Sequence, residues 1–410
     1  MKEEKITITN AQELRQEKCN VPTLRFKRYT TEWTKINLSN YLFVSSKRNK
    51  DGRFSKEDVL SVSGELGIVN QIALLGRSYA GESVLPYHIV EKGDIVYTKS
   101  PLALYPYGII KTNRNKVGIV STLYAVYKTK DNANNRFIEH YFSLKSRINN
   151  YLKPIVRIGA KHDMKIGNNE VLENIVAFPD ISEQCEIADF LDLLDNRISV
   201  QNKIISKYET LIKGISCDYF SKQPNHIAKL KDLIIKGKAG GTPSSAVAEY
   251  YNGDIPFLSI SDMTKQGKYV EFTEKHISEN GLGNSSAWIV PPNSLILSMY
   301  ASVGLVCINK VPLATSQAMF SMVLKDSNML DYIYYYLNFF RETQIHRLLE
   351  TGTQSNINAD TVRDIEIPFY SNILVFVKTL QAIENRLNNE KDMLSRLMDL
   401  KTYLLSSLFI

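Results

Sequence analysis

Arg77, Lys99, Tyr105, Tyr107, Lys111, Arg114, Lys161 and His162 fall in turns and at strand ends in the first half of the chain. Lys236, Lys238, Thr242, Lys265, Lys268, Tyr300, Gln317, Gln354 and Asn356 do the same in the second half. These residue types suit a nucleic-acid duplex. Lysine and arginine neutralise phosphates, whereas arginine, glutamine and asparagine match the donors and acceptors that base edges present in the major groove. A tyrosine beside them offers a ring for stacking or a hydroxyl for phosphate. Each residue alone also reads as an ordinary solvated group, so the expectation rests on the set.

Catalytic chemistry leaves different marks, and they are missing from the sequence. Gly237-Lys238 and Gly267-Lys268 lack the upstream glycine and the hydroxyl residue of a phosphate-binding loop. Val290-Pro291-Pro292-Asn293 has the prolines of a DNA amino-methyltransferase loop without its flanking amide and ring. Pro179-Asp180 is followed by Glu183-Gln184-Cys185, which lacks the lysine of a metal-dependent nuclease. That segment reads instead as a helix start, with Ser182 at the N-cap and Cys185 where a capping box puts Glu or Gln. The six histidines include no H-x-x-x-H pair, and Ser63-Gly64 is not part of a G-x-S-x-G elbow. Cys19, Cys185, Cys217 and Cys307 include no C-x-x-C pair, so neither a zinc site nor a disulfide framework is expected. The reading is a binding protein with no catalytic, cofactor-binding or metal-ligating residues.

Charge places the binding surface. The net charge is +7; segment 181–220 carries −3 and segment 371–410 carries +1, leaving +9 for the rest of the chain. The positive charge therefore sits outside these two segments, where a phosphate backbone is met. The start, MKEEKITITN, has no apolar signal core, and no uncharged apolar run approaches the ~20 residues of a membrane span. A cytoplasmic location is expected.

The elements that position these residues are repeated. Ile36-Asn37-Leu38 answers Ala228-Lys229-Leu230, and Val90 to Val96 answers Val290 to Ile296. Leu123-Tyr124-Ala125-Val126 answers Met319-Phe320-Ser321-Met322; Tyr141, Phe142 and Leu144 answer Tyr334, Tyr335 and Leu337; Gly159 answers Gly352. The offsets drift between 192 and 200, as small loop insertions require. The closing segments match at a constant offset of 189. Leu191, Leu194, Ile198, Ile205 and Tyr208 fall on Leu380, Ile383, Leu387, Leu394 and Leu397, in steps that alternate fours and threes as a coiled-coil seam does. Gln201 and Glu390 share one polar seam position, and Lys401 departs where Ile212 is apolar. A helix with an apolar stripe is unstable alone in water. The two helices are therefore expected to pack on each other, antiparallel, over ~33 residues and roughly 50 Å. Short β-like runs, such as Gly93–Thr98, Gly118–Tyr127, Ile255–Ile260, Ser294–Tyr300 and Gly304–Ile308, alternate with turns and precede helical stretches at 135–152 and 328–350. The fold class is α+β: two similar domains in tandem, each followed by a long helix.

This pattern resembles the specificity subunit of type I restriction-modification systems over residues 21–410. Gly352-Thr353-Gln354-Ser355-Asn356-Ile357 followed by Val362 to Pro368 is similar to the family's segment leading into its helix. Ser182-Glu183-Gln184-Cys185-Glu186-Ile187-Ala188 followed by Leu194-Asp195-Asn196-Arg197-Ile198 is similar to the helix start, and Gly241-Thr242-Pro243-Ser244 followed by Ile255 to Ile260 to the opening of a recognition domain. Residues 158–163 and the start of the second helix depart from these patterns. The resemblance implies an N-terminal extension (1–20), two target-recognition domains (21–180 and 221–370), a central spacer helix (181–220) and a C-terminal one (371–410). It further implies a non-catalytic subunit that recognises a bipartite, gapped sequence in double-stranded DNA. Its partners would be two methyltransferase subunits and motor-nuclease restriction subunits, with S-adenosylmethionine, ATP and Mg held by those partners. The recognition subunit of a related type II system, a coiled-coil scaffold without DNA binding, and a stand-alone DNA enzyme remain alternatives.

Overall fold

The computed structural model describes residues 7–8, 20–102, 104–158, 164–348 and 356–410. Lys161, His162, Gln354 and Cys19 lie outside the described residues. The chain forms two compact units, 1–202 with 392–410, and 203–391. Each division falls inside a long helix, because each helix packs its two ends into different cores.

Unit 1 contains β1 (Thr34–Asn37), β2 (Leu42–Val44), β3 (Ile95–Thr98), β4 (Ile110–Thr112) and β5 (Tyr124–Thr129). Helices α1 (Asn135–Tyr141) and α2 (Lys145–Leu152), strand β6 (Ile175–Phe178) and the start of α3 (Ile181–Phe220) follow. The sheet order is β2-β5-β3-β4, antiparallel throughout, and β1 pairs with β6. Successive residues of a strand face opposite sides. Ile95 and Tyr97 accordingly join the main core with Trp33, Phe137 and Phe178, while Val96 joins Val90, Val120 and Val126 in a second one.

Unit 2 repeats the plan. It contains β7 (His226–Lys229), β8 (Ile234–Ala239), β9 (Tyr269–Val270), β10 (Leu295–Ser298), β11 (Val306–Asn309) and β12 (Met319–Leu324). Then come α4 (Leu330–Thr343), β13 (Glu366–Phe369) and the start of α5 (Ile373–Ser407). The sheet order is β8-β12-β10-β11-β9, with β7 paired to β13. Without the added strand β9 this is the order of unit 1. Leu295 and Leu297 face one core and Ile296 another, as their counterparts do. Of the repeated sequence pairs, residues 90–96 and 290–296 run into the equivalent strands β3 and β10. Residues 123–126 and 319–322 meet on β5 and β12 one residue out of register, because Tyr124 pairs with Thr98 as Met319 pairs with Ser298. Gly159 and Gly352 lie outside the described residues.

Some runs are shorter than the sequence pattern predicts. Gly118–Tyr127 is two strands, because Tyr124 N–H bonds back to Ser121 O at 3.0 Å and turns the chain. The run from Ile255 stops at Leu258, where Ser259 and Asp262 form a capping box that starts a helix over Ile260–Gln266. The helical stretch at 135–152 breaks into α1 and α2 around Phe142-Ser143-Leu144. Ser182 is already the second residue of α3: the first turn closes by Gln184 N–H onto Asp180 O at 3.0 Å, so Asp180, not Ser182, precedes the helix.

The two long helices pack together and run antiparallel, as the pairing inside each unit requires. In unit 1, Leu191, Leu194 and Ile198 share a core with Leu397, Leu404, Leu405 and Leu408. In unit 2, Ile212, Ile215 and Tyr219 share one with Phe376, Leu380 and Ile383. There the Tyr219 ring stacks on Phe376 at 3.9 Å with an interplanar angle of 11°. Ile205 and Leu387 are buried, and Tyr208 and Leu394 half-buried. Lys401 breaks the apolar register because it pairs with Asp195 at 2.5 Å; Lys391 pairs with Glu209 at 2.9 Å.

Candidate nucleic-acid interface

The unit 2 sheet gathers several candidate residues at one end. β8 is antiparallel to β12 and β12 to β10. The end of β8, the start of β12 and the end of β10 therefore lie side by side, and each runs into a turn. Thr242 follows β8, Gln317 precedes β12 and Tyr300 follows β10; all three are exposed. Thr242 Oγ1 donates to Gln317 Oε1. Close backbone approach makes this pairing feasible. Gly240 N–H bonds Met319 O at 3.1 Å and Gly241 N–H bonds Thr315 O at 2.9 Å. A Cβ on Gly240 would stand 2.0 Å from Thr315 O, so glycine is required there. Ile357 N–H bonds Met299 O at 3.0 Å, which brings half-exposed Asn356 to the same end. Lys238 is exposed on β8, and Lys236 lies with its Nζ 4.1 Å from the Trp288 ring centroid.

Other candidates of unit 2 are held by partners within the unit. Lys265 forms an ion pair with Glu274. Lys268, 11 % exposed, lies 2.7 Å from Asp331 and 2.7 Å from Glu384, and donates to Tyr335 Oη at 2.8 Å. Burial opposes its charge, but Glu384 and Asp331 outweigh this and raise its pKa. Lys268 therefore ties α5 to its domain.

Unit 1 presents the same end differently. The loop after β3 carries Lys99, Tyr105 and Tyr107. Lys99 Nζ donates to Ile166 O at 2.9 Å and Asn168 Oδ1 at 2.5 Å, and burial lowers its pKa. The Tyr105 and Tyr107 rings pack on the core, and Tyr97 Oη donates to Tyr107 O at 2.7 Å. Arg77 is exposed on a separate loop, with its guanidinium 4.6 Å from the Tyr79 ring centroid.

Lys111 and Arg114 belong to a tether instead. Lys111 is half-buried 4.0 Å from Glu139, and burial lowers its pKa. Arg114 reaches Glu139 at 2.8 Å and Asp192 of α3 at 2.6 Å. Arg136 and His140 Nε2 each approach Asp192 to 2.9 Å. Burial pushes the Asp192 carboxyl up, yet the bonds from His140 and Arg114 hold it well below the usual carboxylate range. His140, Asp192 and Asp195 stand close enough together to hold a metal ion. Asp192 is already engaged by two arginines, and Asp195 by Lys401, which makes this arrangement an ion-pair network.

The Glu183-Gln184 pair gains a physical role that the sequence did not reveal. Glu183, 1 % exposed, accepts two 2.7 Å bonds from Arg25. Gln184 donates to Pro179 O at 2.8 Å and Asn132 O at 3.1 Å, and accepts from Asn134 N–H at 3.0 Å. Together they lock the start of α3. At the matching place stand Asn372, just before α5, and Ile373, its first residue, and the neighbouring stack of Tyr219 on Phe376 holds the helix instead.

Comparison with known proteins places this architecture. The fold is similar to the crystal structure of a type I restriction-modification S subunit from M. genitalium, with a TM-score of 0.59 at 14 % identity over 95 % of this chain and 99 % of that one. It is similar also to a chain from a structure concerned with complex assembly and conformational transition of the type I system, with a TM-score of 0.56 at 15 % identity over 93 % and 99 %. In sequence, the chain is 31 % identical over 180 residues to the HindI specificity subunit of Haemophilus influenzae, covering 42 % of this chain and 38 % of that one. It is 30 % identical over 147 residues to the MjaIX specificity subunit of Methanocaldococcus jannaschii, covering 35 % and 34 %. The matches thus span about a third of the length of these curated relatives. Residues 86–210 and 224–391, more than half of the chain, match the type I restriction modification DNA specificity domain, and the chain belongs to that family.

Proposed function

We propose that this chain is the DNA-recognition subunit of a type I restriction-modification enzyme, and that its two units read the two halves of a gapped target. One observation carries this reading: two units share a strand order, yet place different side chains on the turns at the same sheet end. A repeated frame with unlike tips suits a split, asymmetric site. In unit 2, Thr242, Gln317, Tyr300 and Asn356 are the candidate base-reading groups, with Lys236 and Lys238 available to phosphate. Contacts of Arg77 and of the segment holding Lys161 and His162 belong to the same proposal for unit 1.

The chain supplies recognition and spacing; the chemistry belongs to its partners. Two methyltransferase subunits, with S-adenosylmethionine, dock on the helices and neighbouring domain faces, and motor-nuclease subunits bring ATP and Mg. The complex acts in the cytoplasm; among the described residues no helix is long and apolar enough to cross a membrane. Adenine methylation needs the base flipped from the stack, and the recognition subunit holds the duplex while this occurs.

The test is co-expression with the cognate methyltransferase subunit, followed by genome-wide mapping of methylated adenine. A two-part motif with a fixed gap is expected. The α3–α5 pair should act as the spacer: a heptad inserted at matched points of both helices should lengthen the gap by about three base pairs and leave both half-sites unchanged. A changed half-site with an unchanged gap overturns the spacer role.

A further inference from the structure

Four leucines stand exposed on neighbouring turns of unit 1: Leu66 at 62 %, Leu102 at 41 %, Leu104 at 60 % and Leu123 at 63 %. The pairing of Tyr124 with Thr98 sets the turn bearing Leu123 beside the loop that bears Leu102 and Leu104. A Cβ on Gly64 would lie 3.9 Å from the Tyr105 ring, so the turn leading to Leu66 abuts that loop as well. This is the sheet end equivalent to the one that carries Thr242 and Gln317 in unit 2, where Tyr300 is exposed instead.

The turns are held in shape. Leu102 and Tyr105 exchange backbone bonds of 3.0 and 2.9 Å, and Pro101 and Pro106 bracket them. Gly108, at φ 88°, lets the loop close where a Cβ would stand 2.0 Å from Thr98 O. Leu66 and Leu123 N–H bond Ser63 Oγ at 3.2 Å and Ser121 Oγ at 3.3 Å. Tyr105 and Tyr107 pack half-buried against the core while the leucines stay in solvent. Clustered apolar side chains on constrained turns mark a contact surface. Cations flank it: the strand pair Arg157–Lys165, next to Ile166 whose carbonyl accepts from Lys99 in the loop, exposes both its basic residues. Apolar points beside positive charge fit a groove in which anionic phosphates flank base edges, and thymine offers a methyl group to the major groove.

We infer that this leucine cluster reads the unit 1 half-site by apolar contact with thymine methyl groups, in place of the polar contacts proposed for unit 2. The inference rests on the DNA-recognition reading above.

The test uses the full chain bound to its methyltransferase subunits, and duplexes carrying the mapped target with deoxyuridine replacing thymidine in one half-site at a time. Each methyl group removed from the unit 1 half-site should weaken binding by about fourfold. The double variant Leu104→Ser/Leu123→Ser should bind thymidine and deoxyuridine duplexes alike, and its methylation motif should relax in that half-site only. Gln317→Ala should relax the other half-site and keep the deoxyuridine effect. Equal binding of both duplexes by the unmodified protein overturns the inference while leaving the two-part motif intact. Loss of the methyltransferase subunit from the leucine variant, with the motif unchanged in what remains, overturns it too and assigns the cluster to a protein contact. Absence of any DNA binding by the unmodified complex removes the reading on which it rests.

Discussion

The two units hold their long helices at the same turn by opposite means. Asp192 and Asp195 of α3 occupy the positions that Gln381 and Glu384 occupy in α5, 189 residues on. In unit 1 an acid on the helix is surrounded by domain donors: the guanidinium groups of Arg114 and Arg136 and the ring of His140 all meet Asp192. In unit 2 one domain cation, Lys268, serves two acids, Asp331 from α4 and Glu384 from α5, while Gln381 donates to Asp331 at 2.7 Å. The lesson is that the repeat conserves where a helix is fastened and not the groups that fasten it. The two tethers should also differ in resilience, since one charge is shared among several partners and the other stands alone between two acids.

The largest expected effect follows from that isolation. Lys268→Ala leaves Asp331 and Glu384, each 20 % exposed, close together without their cation. Removing one member of a buried ion pair costs about 3–5 kcal/mol. Unit 2 should therefore unfold first in a urea titration of this variant, with the loss read near α5. A loss no larger than that from removing a surface lysine would show that Tyr335 and Gln381 suffice as the tether.

The sequence displayed this frame better than it displayed the site. Both long helices, their seam and the paired strand runs are periodic signals, and the structure places Leu191, Leu194, Leu380 and Leu387 in the interior. The lysines were less informative, because an exposed phosphate-binding lysine and a buried tethering one look alike in a string of letters. Lys99, Lys111 and Lys268 have partners distant in sequence, such as Asn168 and Glu384, which only folding brings near. Thr242 and Gln317 stand 75 residues apart in the sequence, and their contact depends on the Gly240-Gly241 approach to Thr315. The leucine turns are not legible in the sequence, since an apolar residue in a β-rich stretch reads first as core.

A second contrast lies just before the matching strands β3 and β10. His88 of unit 1 and Trp288 of unit 2 differ by the offset of 200 that relates those strands, and both are buried. Burial first, then Arg48 and Lys99, lower the His88 pKa to about 4. The unfolded chain, with an ordinary imidazole near 6.5, binds more protons than the folded one between these values. Stability conferred by neutral His88 is thus complete above that window and is lost as the pH falls through it. Between pH 7 and pH 5 this amounts to about 2 kcal/mol. Unit 1 should weaken on acidification to that extent through His88, and His88→Phe should flatten the pH profile of unit 1 while leaving that of unit 2 unchanged. A profile unchanged by the substitution would mean that other groups set the acid response.

The smallest effect should come from the resilient tether. Arg114 is 39 % exposed, and its loss leaves Asp192 with Arg136 and His140, both 2.9 Å away, and buried Glu139 with Lys111 at 4.0 Å. An exposed, redundant ion pair contributes about 1 kcal/mol or less. Arg114→Ala should therefore shift the urea midpoint of unit 1 only slightly, in contrast to Lys268→Ala in unit 2. Adding Arg136→Ala should cost more than the sum of the single losses, because the low-lying carboxylate of Asp192 then depends on His140 alone. The acid limb of the unfolding curve then gives an independent reading: as Asp192 loses its cations its pKa should rise toward that of the unfolded chain, and the further stability lost as acid is added should be smaller in the double variant than in the parent. If the two single losses simply add and the acid limb stays in place, the cations around Asp192 act independently, and the two tethers differ in composition but not in resilience.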